Sequence, residues 1–392
     1  MTRSLMNDLI YLDNAATSHP KPEAVYLAVD ETLRRGASPG RGGYRQALAA
    51  ERLVFETRET LAELFHAPDS ERFVFTPNAT AAINQALFGL LNPGDRVVTT
   101  SIEHNAVIRP LRALQERGIE VVKVAAAPDS GLVSVLDLKS ACQEKPTRLL
   151  LVNHCSNVFG TLQPVAELGP WCRAQGILFM LDGSQTAGCL PIDFQQLAVD
   201  LFAASGHKGL LGPQGTGFLY VRAGLELVPL IYGGTGVDSS SDLPPGELPE
   251  RLECGTLNTP GIAGLNAAVR FLLQLGVAKV RAHEVQLIEA LVAGLRALAG
   301  VQVYGSERID LRGGAISFTL EGWDPAELGY RLDQQENICL RVGLHCAPDA
   351  HRSIGTFPRG TLRVSPGYFT TEAEVEQFLA AIARFSKISQ PC

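Results

Sequence analysis

The chain has 392 residues, of which 46% are hydrophobic and 19% charged, and its formal net charge is −7 at pH 7. This composition predicts a globular protein with a sizeable core and more than one domain, and it excludes a disordered chain. Because the acidic balance includes no block of lysine or arginine, neither nucleic acid nor an anionic membrane is expected as a partner.

The first twenty residues lack the apolar core of a secretory signal, and no apolar run reaches membrane-spanning length. The eight cysteines are scattered and form no CxxC pair, which argues against a disulfide framework or a zinc finger. Together these two features predict a cytoplasmic protein.

Short apolar runs alternate with longer amphipathic segments from about residue 70 onward. The runs are RFVFT, RVVTTS, EVVKV, RLLLVNH, ILFMLD and DLFAAS, and the segments include TAAINQALFGLL and PLRALQERG. Near-continuous apolar strands that alternate with helices predict a doubly wound α/β domain, in which helices cover both faces of a mostly parallel sheet. Ligands of such a domain bind at the carboxyl ends of the strands.

The C-terminal third follows a different pattern. A polar stretch rich in Pro, Gly and Ser, residues 236–250, predicts a long surface loop. Helices are predicted near 259–275, 277–299 and 371–388, with strands GGAISFTL, ICLRVG and TLRVS between the last two. We therefore expect an N-terminal segment (1–20) that packs with a small domain, a large cofactor-binding domain (21–260) and a small α+β domain (261–392).

Polar residues follow four of the predicted strands and should meet at one edge of the sheet. They include His104, Asn157, Asp182 and Lys208. Pyridoxal phosphate requires a lysine for a Schiff base, an acid facing its pyridine nitrogen and phosphate donors at a helix N-terminus. The start of a helix directly after RFVFT supplies those donors. Partial desolvation of Lys208 would lower its pKa and favour the nucleophilic amine.

Six motifs support this interpretation: YLDNAATSHPKP, SNVFGT, DGSQTAG, SGHKGLLGPQGTG, GTLNTPGIAGL and RVGLHCAP occur in this order. In this ordered set the chain resembles the group II (Suf-type) cysteine desulfurases, which belong to the class V aminotransferase group of fold type I pyridoxal-phosphate enzymes. The resemblance covers essentially the whole chain. It implies a homodimer with a large α/β domain and a smaller C-terminal domain.

The resemblance also implies a role for each residue at a matched position. Lys208 binds the cofactor covalently and moves the substrate's protons, and His104 stacks on the pyridine ring. Asp182 pairs with the pyridine nitrogen, and Gln185 contacts the ring hydroxyl. The phosphate ligands implied are Ala79, Thr80, Ser205, His207 and, from the neighbouring subunit, Thr256; the substrate ligands implied are Asn14, Asn157 and Arg363.

A second informative stretch, RVGLHCAPDAHRSIGTF, contains Cys346. The resemblance implies that Cys346 takes sulfur from L-cysteine as a persulfide, releases alanine and passes the sulfur to an acceptor protein for iron–sulfur cluster or thio-cofactor assembly. An accessible loop and the adjacent imidazole of His345 suit a thiolate. Two positions depart from the family: Leu344 replaces the first histidine of GHHC, and RVS with Pro366 replaces RAS. The replacement at Leu344 leaves the rate of turnover and the preference for an acceptor open. The loop at 236–250 is a candidate docking surface for the acceptor protein.

Other interpretations remain open on the sequence alone. The chain is alternatively a selenocysteine lyase, a transaminase or β-lyase that forms no persulfide, or a non-catalytic scaffold on the same fold. His345, Cys346 and His351 are close enough in sequence for a metal site, although no fourth ligand is evident. Arg341 is either structural or substrate-facing. The segment GPQGTG lacks the spacing of a nucleotide-binding P-loop.

Overall fold

A computed structural model of the protein describes residues 9–36, 38–40, 42–236 and 240–387. Residues 237–239 of the predicted loop and residues 1–8 of the predicted N-terminal segment lie outside the described residues. The helices are α1 (Glu23–Arg35), α2 (Arg45–Leu64), α3 (Ala79–Leu90), α4 (Asn105–Gln115), α5 (Val135–Gln143), α6 (Leu168–Gln175), α7 (Thr259–Leu275), α8 (Val277–Arg296), α9 (Pro325–Glu336), α10 (Pro348–Ser353) and α11 (Glu372–Phe385). The strands are β1 (Ile10–Tyr11), β2 (Phe73–Thr76), β3 (Arg96–Thr100), β4 (Glu120–Val124), β5 (Leu149–Asn153), β6 (Leu178–Asp182), β7 (Leu201–Ser205), β8 (Gly217–Val221), β9 (Val301–Val303), β10 (Ile316–Leu320), β11 (Ile338–Cys339), β12 (Arg341–Gly343) and β13 (Thr361–Val364).

A seven-stranded sheet with the order β2-β8-β7-β6-β5-β3-β4 forms the larger part of the structure. Strands β7, β6, β5, β3 and β4 are paired in parallel, whereas β8 runs antiparallel to both β2 and β7. The predicted α/β fold with a mostly parallel sheet is confirmed. The apolar runs did not single out β8, which is the one antiparallel strand of this sheet.

Both faces of this sheet are covered, which explains why its strands are almost continuously apolar. Along β5, Leu149 and Leu151 contact one hydrophobic core, while Leu150 and Val152 contact the core on the opposite face. The alternation follows from the strand geometry, in which successive side chains point to opposite sides. In β5 and β6 the only polar side chains are those at the carboxyl ends, Asn153 and Asp182.

A second, four-stranded antiparallel sheet has the order β12-β13-β10-β9 and forms its own core with α8, α9 and α11. Strand β1 pairs in parallel with β11, and Ile10 and Leu12 contribute to this smaller core. Helix α7 instead packs with α1 and α2 beside the larger sheet. The domain boundaries at residues 20 and 260 stay a prediction.

No single helix in the described part of the chain is long and apolar enough to cross a membrane. Helices α7 and α8 together reach the required length and composition, but the chain bends by 83° between them.

Candidate active site

The carboxyl ends of β3, β5, β6 and β7 meet at one edge of the larger sheet. The register places Asn153 opposite Asp182, and Asp182 opposite Ala203, so these ends are level with one another. A pocket at this edge is lined by Ala79, Thr80, His104, Ala106, Asn153, Cys155, Asn157, Asp182, Ser184, Gln185, Ser205 and Lys208. The structure therefore gathers most of the predicted site residues, which lie up to 129 positions apart in sequence, around one space.

Lys208 lies in this pocket on the loop that follows β7. Burial lowers the pKa of its amine from 10.5 to about 8, and the nearby carboxylate of Asp182 opposes part of that shift. The glycine two positions earlier is required by packing, because a Cβ on Gly206 would lie 2.2 Å from the Thr216 hydroxyl. The tight turn thus brings a lysine of raised nucleophilicity to the sheet edge.

His104 and Asp182 approach the same space from the ends of β3 and β6, the strands on either side of β5. The Nδ1 atom of His104 accepts a hydrogen bond from the Ala106 amide at 3.0 Å and caps α4. Burial lowers the His104 pKa to about 4, so the imidazole is neutral with its proton on Nε2. In Asp182, Oδ1 accepts from the amide and hydroxyl of Ser184, and within the described structure Oδ2 has no hydrogen-bond partner. One carboxylate oxygen is therefore fixed and the other is available.

The N-terminus of α3 forms a polar end of the pocket. The Ala79 amide donates to the Ser205 hydroxyl at 3.1 Å, and the N-cap Asn78 accepts from the third residue of the helix. Thr80, the second residue of α3, also lines the pocket at this end. His207 lies outside the pocket lining, but its Nδ1 atom is buried without a hydrogen-bond partner among the described residues. An anion bound at this end would meet the N-terminus of α3.

Arg363 and Asn14 lie beside the pocket and do not line it. Arg363 is only 3% exposed; it donates to Asp13 Oδ1 at 3.0 Å and to the Asn157 carbonyl at 3.2 Å. Its buried Nε has no partner in the part of the chain described. Asn14 binds the Ser365 carbonyl and lines a second cavity that shares Gln185 and Lys208 with the first.

Cys346 is exposed and lies in a tight turn, residues 344–347, that is closed by a hydrogen bond from the Ala347 amide to the Leu344 carbonyl at 2.9 Å. The expectation that the imidazole of His345 assists the thiolate of Cys346 is wrong, because that imidazole is uncharged. Its Nε2 is hydrogen-bonded to Thr361 at 3.0 Å, and burial lowers its pKa to about 2. The ring is therefore neutral and offers the thiolate no positive charge.

The metal cluster considered from the sequence finds no geometric support. Among the residues that the structure describes, no group of three or more His, Cys, Asp or Glu side chains is arranged to hold a metal ion. His351 uses its Nδ1 for a 2.8 Å hydrogen bond with Thr356.

Thr256 lies in a separate groove with Glu253, Gly255 and Leu257. It does not reach the pocket of its own chain, and its predicted role toward a neighbouring subunit stays a prediction. Arg341 is half-exposed and lies 3.6 Å from Asp13, the same carboxylate that binds Arg363.

Two contributors to the site were not singled out from the sequence: Asp13 and Asn153. Asp13 directly precedes Asn14 in the motif YLDNAAT, and Asn153 lies near the end of the predicted strand RLLLVNH. Their positions were visible in the sequence. Their contacts depend on strand register and on pairings across the fold, which the sequence pattern does not give.

The residues of the pocket fit pyridoxal phosphate. A buried amine with a pKa near 8, a carboxylate with one oxygen available and a helix N-terminus match its aldehyde, pyridine nitrogen and phosphate.

Comparison with known proteins agrees with this chemistry. Residues 10–378 match the family model described as aminotransferase class-V. A probable cysteine desulfurase from Methanothermobacter thermautotrophicus is 36% identical, over 95% of this chain and 93% of that protein. A probable cysteine desulfurase from Pyrococcus abyssi is 32% identical, over 98% of this chain and 96% of that protein.

Solved structures resemble this one over nearly its whole length. The apo structure of a cysteine desulfurase from Thermococcus onnurineus has a TM-score of 0.91 and 32% identity, and it covers 98% of this chain and 96% of that chain. A cysteine desulfurase from Escherichia coli has a TM-score of 0.85 and 29% identity, with 96% and 94% covered. With its lysine, acid and helix N-terminus gathered at one sheet edge, the chain belongs to the aminotransferase class-V family of pyridoxal-phosphate-dependent enzymes.

Proposed function

We propose that this protein is a cysteine desulfurase of the Suf type, which converts L-cysteine to L-alanine and keeps the sulfur on Cys346 as a persulfide. One observation carries the proposal. The turn with the exposed Cys346 is hydrogen-bonded to the pocket, because the Asn157 side chain donates to the His345 carbonyl at 2.6 Å. An accessible thiol held beside a pyridoxal-phosphate site suits sulfur transfer, whereas a plain transaminase does not need one.

The residues around the pocket have distinct tasks in this reaction. When bound, pyridoxal phosphate draws electron pairs away from the bonds at the substrate's Cα and Cβ. Lys208 holds the cofactor through its amine and afterwards accepts the Cα proton on Nζ. The neutral His104 ring would hold the ring of the cofactor, and the free oxygen of Asp182 would pair with its pyridine nitrogen. Arg363 binds the substrate carboxylate.

The sulfur step uses the thiolate of Cys346. Its Sγ attacks the sulfur of the bound substrate, an S–S bond forms, and the substrate's Cβ–S bond breaks. The electron pair of that bond remains with the organic fragment, which takes up a proton and leaves as alanine. The protein retains a persulfide, and an acceptor protein removes the terminal sulfur.

Product analysis tests this proposal. The holoenzyme, incubated with L-cysteine and an excess of thiol reductant, should release alanine and sulfide in equal amounts. Pyruvate as the carbon product would contradict desulfurase chemistry and favour a β-lyase. Turnover of L-selenocysteine at a much higher rate than L-cysteine would instead favour the selenocysteine lyase.

The low pKa of Lys208 predicts how cofactor uptake depends on pH. The neutral amine attacks the cofactor aldehyde, and its fraction grows as the pH rises through a pKa of about 8. Below pH 8, the rate of uptake by cofactor-free protein should rise about tenfold per pH unit and then level off. Stopped-flow measurement of the yellow absorbance gives this rate. A rate that continues to climb toward pH 10.5, the ordinary lysine value, would contradict the assignment.

Arg363→Lys should weaken binding of L-cysteine. Lysine keeps a positive charge beside Asp13, but it cannot form the two parallel hydrogen bonds that a guanidinium makes with a carboxylate. We expect KM for L-cysteine to rise about tenfold to a hundredfold, with a smaller change in kcat. An unchanged KM would show that Arg363 is structural. The half-exposed Arg341, changed to lysine in parallel, reveals whether it also faces the substrate.

We also propose that the enzyme is a cytoplasmic homodimer in which Thr256 binds the phosphate in the neighbouring subunit. The groove that contains Thr256 is also lined by Leu48 and Phe55, which are 57% and 46% exposed in the single chain. Exposed apolar side chains that lie together in one groove are typical of a surface that binds a partner. Sedimentation of the holoenzyme as a monomer would contradict the dimer.

A further inference from the structure

The turn that presents Cys346 has an unusual backbone. His345 and Cys346, its two central residues, have φ values of 48° and 57°. Positive φ at both central positions is typical of a type I′ turn, which favours Gly, Asn and Asp. Histidine and cysteine adopt this conformation only when surrounding contacts hold it. The nucleophile proposed above therefore lies on a segment whose geometry depends on its neighbours.

Two contacts from the larger sheet and its connections reach this turn, and a third reaches the helix that follows it. The Asn105 amide, at the start of α4, donates to the Cys346 carbonyl at 2.7 Å. The Asn157 side chain donates to the His345 carbonyl at 2.6 Å. Beyond the turn, Lys123 of β4 forms a 2.7 Å ion pair with Asp349 of α10.

These contacts hold the chain at both central carbonyls of the turn and at Asp349, two residues beyond it. Asn105 directly follows His104, whose ring faces the pocket, so one short backbone segment contacts both the cofactor site and the nucleophile turn. Lys123 lies outside the pocket lining, and its amine is paired with the Asp349 carboxylate.

We propose that the Asn105 amide and Lys123, together with Asn157, form a clamp that positions Cys346 over the pocket. The inference rests on the proposed function, because it assigns these groups to the sulfur step. Asn105 and Lys123 are positioning residues. They fix the turn so that the thiolate is already oriented toward the substrate sulfur. A small displacement of the thiolate from this position would lower the rate of sulfur transfer.

The clamp can be opened at Asn105 by removing a single backbone donor. Asn105 is the first residue of α4, a position at which proline is tolerated because its missing N–H lies outside the helical ladder. The preceding His104 has φ −69° and ψ 154°, a conformation that a residue before proline readily adopts. Asn105→Pro thus removes the hydrogen bond to the Cys346 carbonyl, and Asn105→Ala retains it as the matched control.

Lys123 offers a second pair of variants that avoids any change in α4. Asp349 binds Lys123 at 2.7 Å and Arg352 at 2.6 Å, but only the first ion pair joins two separate elements. Lys123→Ala removes the ion pair between β4 and α10. Arg352→Ala removes the other cation that pairs with Asp349, which lies within α10 itself. Because the Lys123 pair is partly exposed, its effect should decline in high salt.

Two readouts separate positioning from mere stability. The first is hydrogen exchange of the Ala347 amide, which closes the turn and can be followed in the holoenzyme without substrate. The second is the division between kcat and KM for alanine release. Asn105→Pro should accelerate Ala347 exchange and lower kcat, each about tenfold, with KM and the yellow absorbance unchanged. Lys123→Ala should do the same by about threefold to fivefold at low salt.

Asn105→Ala and Arg352→Ala should match the native enzyme in both readouts. The clamp is refuted if each opened variant equals its control, or if exchange accelerates while kcat stays native. It is also refuted if KM changes as much as kcat. These outcomes differ from failure of the proposed function, in which the native enzyme itself releases no alanine while Ala347 exchange still reports on the turn.

Discussion

Replacing Cys346 by alanine should abolish alanine release from L-cysteine, with a loss of at least about a thousandfold, while the yellow cofactor remains bound. Cys346 is the exposed thiol beside the pocket. Cys155 lines the pocket itself but cannot replace it, because burial raises the Cys155 pKa to about 12 and keeps that thiol protonated. Without a thiolate nucleophile, the substrate's sulfur has no acceptor on the protein.

The measurement combines alanine quantification with mass spectrometry of the peptide that contains Cys346. In the absence of reductant, the native peptide should gain one sulfur atom after exposure to L-cysteine. Cys254→Ala is a suitable control, because Cys254 lies outside the pocket lining and hydrogen-bonds the Ile231 carbonyl. Alanine release by Cys346→Ala at the native rate would end the persulfide proposal and leave a transaminase or β-lyase as the better account.

Much of the fold was predictable because its strands carry an unambiguous signal. Leu149 to Val152 are all buried between two helical layers, and a run of this kind has few other solutions. The polar residue after each strand was equally informative, since parallel strands deliver their ends to one edge. For that reason the order of strands and polar residues was enough to predict that Lys208, Asp182 and His104 lie together, as they do in the pocket.

What escaped prediction depends on contacts between distant parts of the chain. The Lys123–Asp349 pair joins residues 226 positions apart, and the Asn157–His345 bond joins residues 188 apart. Local patterns in the sequence do not indicate which distant residues will pair. The orientation of His345 was missed for the same reason, because its partner Thr361 lies on a strand that reaches the turn only in the folded chain.

The site is held by contacts between the two sheets. The Asp13 carboxylate, from the segment after β1, binds Arg363 of β13, and Arg363 in turn donates to the carbonyl of Asn157, which follows β5. Asn157 then donates to the nucleophile turn. A chain of this kind links the expected substrate carboxylate position with the expected sulfur acceptor.

Replacing Lys208 by alanine should remove activity by at least about a thousandfold and leave the protein unable to hold the cofactor covalently. The amine has two tasks, attachment of the cofactor and transfer of the Cα proton, and alanine can do neither. Reduction with borohydride followed by mass spectrometry should place the cofactor on the native peptide that contains Lys208. The variant should show free cofactor only.

The same substitution should not destabilise the cofactor-free fold, and this distinguishes lost chemistry from lost structure. The Lys208 pKa is lowered from 10.5 in the unfolded chain to about 8 in the fold, so the folded state binds its proton less tightly. Below pH 8 the charged amine therefore opposes folding, and between pH 8 and 10.5 this cost declines as the pH rises. At pH 7, Lys208→Ala should have a Tm equal to or above that of the native cofactor-free protein. A large drop in Tm would mean that Lys208 stabilises the fold through contacts, and retention of activity would refute its role in catalysis.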